Sequence, residues 1–569
     1  MFLKQSRQTN GRILLSLVAG YREDGVVRHR YVEHFGYLDN LLLIYPDPVA
    51  HFKDVARQRT LEARNEPIYI NTNVSLSTGS LRKNLGYVFI QQLYFQLAIN
   101  DFLNLKQRKE RVKYRFDEVL RLLVYSRILK PTSILSTYDN RAVYFERFDF
   151  SLHDIYRSLD KLICFKDDLL TYLYTKINQH FKIDTSLAYY DCTNYYFEIE
   201  YNDEDEVDEN GVVIKTGLRK KGVSKEHRPN PIVTMGLLLD STGIPISYDL
   251  FPGNESEKTT LRPLLNNAKG KYNLGKVVVV ADRGLNTSDN IFFNNNELNG
   301  YIYSKSLRVA DNEFKTWAFV DDLTTGNNIK SRIHTFDVTL LRNNARNVRT
   351  TVIQKQVVYY SKKYAQRSAY LRSVAIEKAK SLIEDPGKYN KATSYGAANY
   401  IRNIDYDKLT GEVIAKDLSL DIDKITQEEK YDGYYAIVTS ETHLSDEQII
   451  ERYKGLWKIE ESFRIIKSEL KARPVFLSLD NHIRAHFFIC YIAFLLIRLL
   501  ERKVDEKYSC NELIKTMNAY GCTHIQDNLY AFDFRDEVIE DLEKIFKIDL
   551  SKQYLELNKI KKLLNKTKT

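Results

Sequence analysis

Lys276-Val277-Val278-Val279-Val280-Ala281-Asp282-Arg283-Gly284 is the stretch on which the fold turns. Four valines and an alanine in succession leave no polar face. The run predicts a strand buried on both sides, as in the middle of a parallel or mixed sheet. Aspartate is depleted in strands, yet Asp282 closes this one. At the carboxyl end of a central strand a side chain emerges at the sheet edge, where α/β active sites form. The plainer alternative is a cap for the helix expected at 288–296, a task for which Ser288 is already available.

Working outward, Leu187-Ala-Tyr-Tyr-Asp-Cys-Thr-Asn-Tyr-Tyr-Phe-Glu is aromatic and β-prone. Strand alternation puts Asp191 on one face with Tyr189 and Thr193. A lone buried carboxylate costs several kcal/mol. Asp191 therefore requires a partner, for which a metal ion is the simplest choice, or else an edge position facing water. Further strands are expected at 232–239, 246–250 and 434–439, with helices at 258–268 and 288–296. Together these predict an α/β core, a mixed sheet flanked by helices.

The flanks differ. Residues 12–37 read as a β-hairpin with Arg22-Glu-Asp-Gly25 at its turn. Residues 47–64 and 88–182 read as helices, broken near Pro131 and Tyr138. Residues 305–430 are irregular and polar, with short strands and one helix near 366–384. Helices are expected at 446–472 and 480–503, and the remainder is also read as helical. The expected organisation is thus an N-terminal β-hairpin and helical region (1–185), a core (186–304 and 431–475), a β-rich insertion (305–430) and a C-terminal helical region (476–569).

Composition narrows the function. The 569 residues are 43% hydrophobic and 28% charged, which suits folded globular domains and not a disordered chain. The net charge of +9 and pI near 8.9 favour a polyanionic partner without proving one. Seven basic residues cluster between two expected strands: Lys215, Arg219, Lys220, Lys221, Lys225, His227 and Arg228. They form either a phosphate-contacting ridge beside Asp191 or a solvated hairpin balanced by the acidic loop before it. The lysine-rich tail (Lys552, Lys559, Lys561, Lys562, Lys566, Lys568) reads either as a DNA contact or as a solvated helix end. Five scattered cysteines with no C-x-x-C spacing indicate neither zinc nor disulfides and fit a reducing cytoplasm. No signal-peptide core opens the chain. The longest apolar run, 487–497, is shorter than the roughly 20 residues a bilayer needs, so no membrane is expected. His482 and His486 have zinc-compatible spacing but lack the glutamate of a metalloprotease helix, so a structural role is expected.

The helix from 446 is the most informative segment. Ser445 and Gln448 form a capping box. At about 100° per residue, Tyr453, Leu456, Glu460, Arg464 and Lys467 fall on one stripe. A surface stripe held by Glu460–Arg464 pairing would look the same. The order of two strand aspartates followed by this glutamate resembles the DDE transposases of bacterial insertion sequences, within the RNase H-like superfamily. More narrowly it resembles the insertion-sequence-four type, with a β-rich insertion and a Y-x2-R-x3-E-x6-K helix. Here that helix reads Tyr453, Leu456, Glu460 and Lys467, so leucine replaces the arginine, and Arg464 is the candidate substitute. Glu461 is rotated off the stripe, which favours Glu460. Gly222-Val-Ser-Lys-Glu-His-Arg, Phe251-Pro-Gly-Asn-Glu and Ala281-Asp-Arg-Gly are also similar to the family.

The resemblance implies a cut-and-paste transposase. Asp191, Asp282 and Glu460 would be the catalytic metal ligands for two Mg2+ ions, with Mn2+ able to substitute. Two-metal phosphoryl transfer would cut transposon ends and join the 3′-OH to target DNA. Tyr453, Trp457, Arg464, Lys467, Lys225 and Arg228 would contact DNA. Trp457 and Trp317 are candidates to stack a flipped base, although each taken alone reads more readily as core packing. Terminal inverted repeats and target DNA are the implied partners. A homodimer in the DNA complex and a bacterial, nucleoid-associated location are implied as well. The alternatives are a structure-selective nuclease of the same fold without strand transfer, and a non-catalytic DNA-binding derivative.

Overall fold

The structure is a computed structural model that describes residues 1–23, 26–65, 82–225, 228–325, 328–340, 348–388, 396–402, 418–526 and 528–568. Two compact units divide the chain, Met1–Ser80 and Leu81–Thr569. In the first, β1 (Phe2–Arg7), β2 (Ile13–Glu23) and β3 (Val26–Tyr37) form an antiparallel sheet, and α1 (Pro48–Asn65) follows. Leu15, Leu41 and Phe52 make its core, with Phe35 stacked on Phe52 at 4.2 Å. The expected hairpin is present with one strand more. Its Asp24-Gly25 turn lies outside the described residues.

The second unit begins with β4 (Lys83–Asn84) and the helices α2 (Val88–Gln96), α3 (Phe116–Leu129), α4 (Leu152–Cys164) and α5 (Lys166–Phe181). These share one core with the sheet that follows, through residues such as Phe116, Leu159, Tyr189 and Val280. Residues 1–185 are therefore split between the two units. The sheet strands are β5 (Leu187–Tyr196), β6 (Ile232–Asp240), β7 (Pro245–Pro252), β8 (Val278–Ala281) and β9 (Gly300–Lys305), with α6 (Glu257–Tyr272) and α7 (Ser288–Asn296) between them. Next come the long hairpin β10 (Ile329–Leu340) and β11 (Val348–Tyr360), helix α8 (Lys362–Glu384) and β12 (Tyr434–Thr439).

The strands form an eight-stranded mixed sheet in the order β10-β11-β12-β9-β8-β5-β6-β7. β5 pairs parallel with β8, and β8 pairs parallel with β9; the other pairs are antiparallel. The valine run thus sits between two parallel neighbours, as its lack of alternation predicts. Strand β9 was not anticipated: Gly-Tyr-Ile-Tyr-Ser-Lys is short but carries the β-prone alternation. The expected insertion is less separate than its polarity suggests, because its hairpin extends the main sheet through β12.

Helices α9 (Asp446–Lys454) and α10 (Trp457–Arg464) are distinct, and a π turn at Ile465–Glu469 follows. The single helix expected over 446–472 is thus broken at Gly455-Leu456. The capping box of Ser445 and Gln448 is present. Helix α11 (Asp480–Lys503) is long and apolar enough to cross a membrane by length and composition, yet it is almost entirely buried inside the protein. After α12 (Cys510–Ala519) the expectation of helix alone fails. β13 (Gly521–Gln526), β14 (Leu529–Phe532) and β15 (Tyr554–Glu556) form a small sheet with β4, alongside α13 (Glu537–Phe546) and α14 (Leu557–Lys566). Strands of three to six residues are too short to declare a period of two in sequence.

Candidate active site

The register of the parallel pair places the two aspartates. Val278, Val279 and Val280 lie opposite Leu187, Ala188 and Tyr189. Asp282 continues in extended conformation (φ −75°, ψ 169°), so the same register sets it opposite Asp191. Neighbouring strands are about 4.8 Å apart. Leu187, Tyr189, Val278 and Val280 belong to the core that also holds Ile459 and Phe463 of α10. By alternation Asp191 and Asp282 point to that same face.

Helix α10 runs along β5 and is tied to it at two levels. At one end Gly455 lies over Tyr189, where an added Cβ would stand 1.9 Å from the phenol oxygen. At the other, Lys467 Nζ donates to Thr193 Oγ1 at 2.7 Å. Asp191 sits between Tyr189 and Thr193 on the strand, and Glu460 between Gly455 and Lys467 on the helix. Tyr453 joins the third element. Its phenol faces the Ser304 hydroxyl of β9 and feels the charges of Asp282 and Glu460, and burial pushes it up to about 12. Ser304 Oγ donates to Asp282 Oδ1 at 2.9 Å.

Burial pushes the Asp191 carboxyl up to about 6; Lys225 opposes the rise, and the like charges of Glu257 and Asp282 add to it. Lys225 Nζ donates to Cys192 O at 2.5 Å and pairs with Glu257 at 3.2 Å. Lys467 is driven down to about 8, mainly by burial and then by the charge of Lys225. Two oxygen-only ligands side by side, one of them raised by burial, have the donor chemistry of a hard divalent cation. The third vertex is not closed. Among the described residues no group of three or more His, Cys, Asp or Glu side chains is arranged to hold a metal ion. Glu460 is exposed on α10, the helix that packs on this face through Ile459 and Phe463.

Its neighbour Glu461 is engaged elsewhere, with Arg498 at 2.8 Å and Arg464 at 3.2 Å. Arg464 therefore stands with Glu461 and not with Glu460, and Trp457 (55% exposed) lines a small cleft with Glu461, Arg498 and Arg502. Leu456 is buried in the core. Trp317 packs on Phe314 beneath Arg332. In the basic segment the balanced-hairpin reading describes Lys215, Arg219 and Lys220, which pair with Glu206, Asp203 and Asp205. Arg228 lies over Tyr196 at 4.0 Å, and His227 lies outside the described residues. Asp282 also caps a short turn by accepting from Arg283 N, while the cap of α7 is Thr287 and not Ser288. His486 is buried with Nε2 3.0 Å from Ala472 O, and burial drives it down to about 3. His482 stacks on Tyr156. All five cysteines are free. In the tail, Lys568 pairs with buried Glu146. Ser304 and Gly455 were missed in sequence. Only the alternation of residues 300–305 and the Gly inside a helical pattern pointed to them.

Two family models match this chain: the transposase DDE domain over residues 233–496 and the N-terminal domain of IS1634 family transposases over residues 3–68. The chain belongs to the DDE transposases of insertion sequences. The DDE match spans Asp282 and Glu460, and Asp191 lies upstream of it. No curated protein matches the transposase. Among solved structures, a piggyBac transposase synaptic complex with hairpin DNA is 8% identical, covers 86% of this chain and 88% of its own, and gives a TM-score of 0.34. A Mos1 transposase paired-end complex with the left transposon end is 8% identical over 45% of this chain and 69% of its own, with a TM-score of 0.14. Overlaps this loose leave the assignment on the family models. As a member of this family the protein is a DNA-cleaving transposase.

Proposed function

We propose that this transposase cuts DNA at transposon ends and joins the freed 3′-OH to target DNA, using Asp191, Asp282 and Glu460 on an RNase H-like core. The observation that carries the reading is the register that sets Asp282 beside Asp191 on adjacent parallel strands, on the face crossed by the helix bearing Glu460. The order β7-β6-β5-β8-β9, with β7, β8 and β9 parallel to β5 and β6 alone antiparallel, supports the RNase H-like assignment. Residues 1–185 would supply end binding, 305–430 the insertion and 476–569 the C-terminal region. Two bound Mg2+ or Mn2+ ions would activate the attacking oxygen and stabilise the leaving one.

The chain's own residues do the rest. Asp191 and Asp282 hold paired negative charge at one sheet edge. Ser304 fixes the Asp282 carboxylate through its hydrogen bond, and Tyr453 stays a neutral donor behind it. Lys467 and Lys225 supply positive charge beside Asp191 for a phosphate, with Arg228 further along the same end of β5. Trp457 and Arg464 would meet DNA farther from the carboxylates. Pairing of two ends calls for two copies of the chain in the DNA complex.

The test uses DNA carrying a transposon end with its flank, plus Mg2+ or Mn2+, with nicks, hairpins and joined products resolved on gels. Asp191→Asn, Asp282→Asn and Glu460→Gln are each expected to abolish cleavage while a gel shift with the same DNA persists. Retained cleavage in any variant removes that residue from the site. Cleavage without joined products would favour a nuclease lacking strand transfer.

A further inference from the structure

Next to the carboxylates the sheet carries a row of tyrosines with two arginines beside it. Tyr453, which feels Asp282 and Glu460, also feels Tyr435 of β12. Tyr435 stacks on Tyr359 of β11 at 5.4 Å and meets Tyr364 of α8 at 4.8 Å. Arg367 lies three residues beyond Tyr364 on α8, hence on the same helix face. Arg308, just past β9, lies over Tyr431 at 5.8 Å. Both guanidinium charges reach Tyr435.

These arginines differ from the rest of the region. Six arginines are described between residues 306 and 430, and four of them hold carboxylates: Arg332 with Glu313, Arg349 with Asp337, Arg372 with Asp432 and Arg402 with Asp421. Among the described residues Arg308 and Arg367 pair with no acid, and both are exposed. An exposed arginine without a carboxylate, set in a line of aromatic faces leading from a phosphodiester-cleaving site, suits a phosphate oxygen, and the tyrosines suit bases or sugars.

We propose that Arg308 and Arg367, with Tyr364 and Tyr435 between them, form the track that holds the phosphates of the DNA strand running out of the carboxylate site across the insertion. The inference rests on the site proposed above. Phosphate contacts of this kind are blind to sequence, so a fluorescein-labelled mixed-sequence duplex is an adequate probe. Its anisotropy would be followed across a salt series with the full-length wild type, Arg308→Ala, Arg367→Ala, the double variant and the double Arg→Lys variant. Each lost contact should lower the slope of log affinity against log salt by about 0.9. The double alanine variant should therefore lose about two from the slope and bind about tenfold or more weakly at low salt. The lysine variant should keep most of both, and thermal midpoints should not move, because both side chains are exposed. An unchanged slope in the double alanine variant overturns the track even if the wild type cuts end DNA in the same buffer. A wild type that binds transposon-end DNA but does not cut it with Mg2+ or Mn2+ present overturns the site reading and the track that depends on it.

Discussion

With Asp191 held near 6 by burial, its carboxyl is a poor cation ligand in mildly acidic solution, because a proton must leave before a metal enters. Apparent Mn2+ affinity, measured by calorimetry, should fall about tenfold per pH unit below about 6 and level off above it. A flat profile between about pH 5 and about 7 would contradict the burial of this group. Lys467 gives the opposite dependence. Its charge fades as pH rises through about 8, so wild-type DNA affinity should decline from about pH 7 to about 9 more than that of Lys467→Met. The signature helix separates into two kinds of position. Leu456→Ala should cost about 2–5 kcal/mol of stability by opening a core cavity, whereas exposed Arg464→Ala should change stability by less than about 1 kcal/mol. In sequence, Asp282 stands out because an aspartate closing a valine run breaks a local expectation, whereas Glu460 is singled out only by its order after the two aspartates, since its stripe alone reads equally as a surface ion pair. Arg464 shares α10 with Glu460, yet its guanidinium pairs with Glu461, a choice of side-chain partner that a helical wheel does not decide.

That break is a property of packing between elements. Gly455 has an unremarkable backbone, and what it lacks is a side chain where α10 crosses the Tyr189 phenol. Gly455→Ala should push the helix off β5, costing about 1–3 kcal/mol and most of the cleavage activity. Adding Tyr189→Phe removes the oxygen in the way and should restore part of both, which a double-mutant cycle by denaturant titration and cleavage assay would measure. No coupling between the two positions would mean that the contact does not seat the helix. Strand β9 carries the matching lesson. Six residues of Gly-Tyr-Ile-Tyr-Ser-Lys are easily read as the end of a loop, and only their place between β8 and β12 makes them a strand that delivers Ser304. Short strands take their identity from neighbours far away in sequence, so the small C-terminal sheet was equally invisible.

At the scale of the whole molecule, the helices of residues 88–181, the sheet and the C-terminal elements share one core, built around α11. A buried charge cluster ties distant parts of it together. Arg121 of α3 pairs with Asp117 and Glu146, and Glu146 also receives Lys568 at 2.6 Å. Arg121→Ala leaves Asp117 without its partner in the interior and Glu146 held by Lys568 alone, and should cost about 3–5 kcal/mol in urea denaturation, against about 0–1 kcal/mol for exposed Arg502→Ala beside Glu506. A loss below about 1 kcal/mol for Arg121 would show that water reaches the cluster.

The paired aspartates weigh on this whole edifice as well. A carboxyl raised in the folded state favours its protonated form there, so the fold gains as pH drops from about 6 toward about 4 and loses as pH climbs back. At neutral pH and without a cation, the resting enzyme therefore carries a buried carboxylate beside a second one, a cost that Lys225 offsets only in part. Neutralising one partner by Asp282→Asn should raise the melting temperature of the metal-free protein, while Mn2+ should raise that of the wild type and barely move the variant's. The most heat-resistant form of this transposase would then be one that has surrendered its ability to cut.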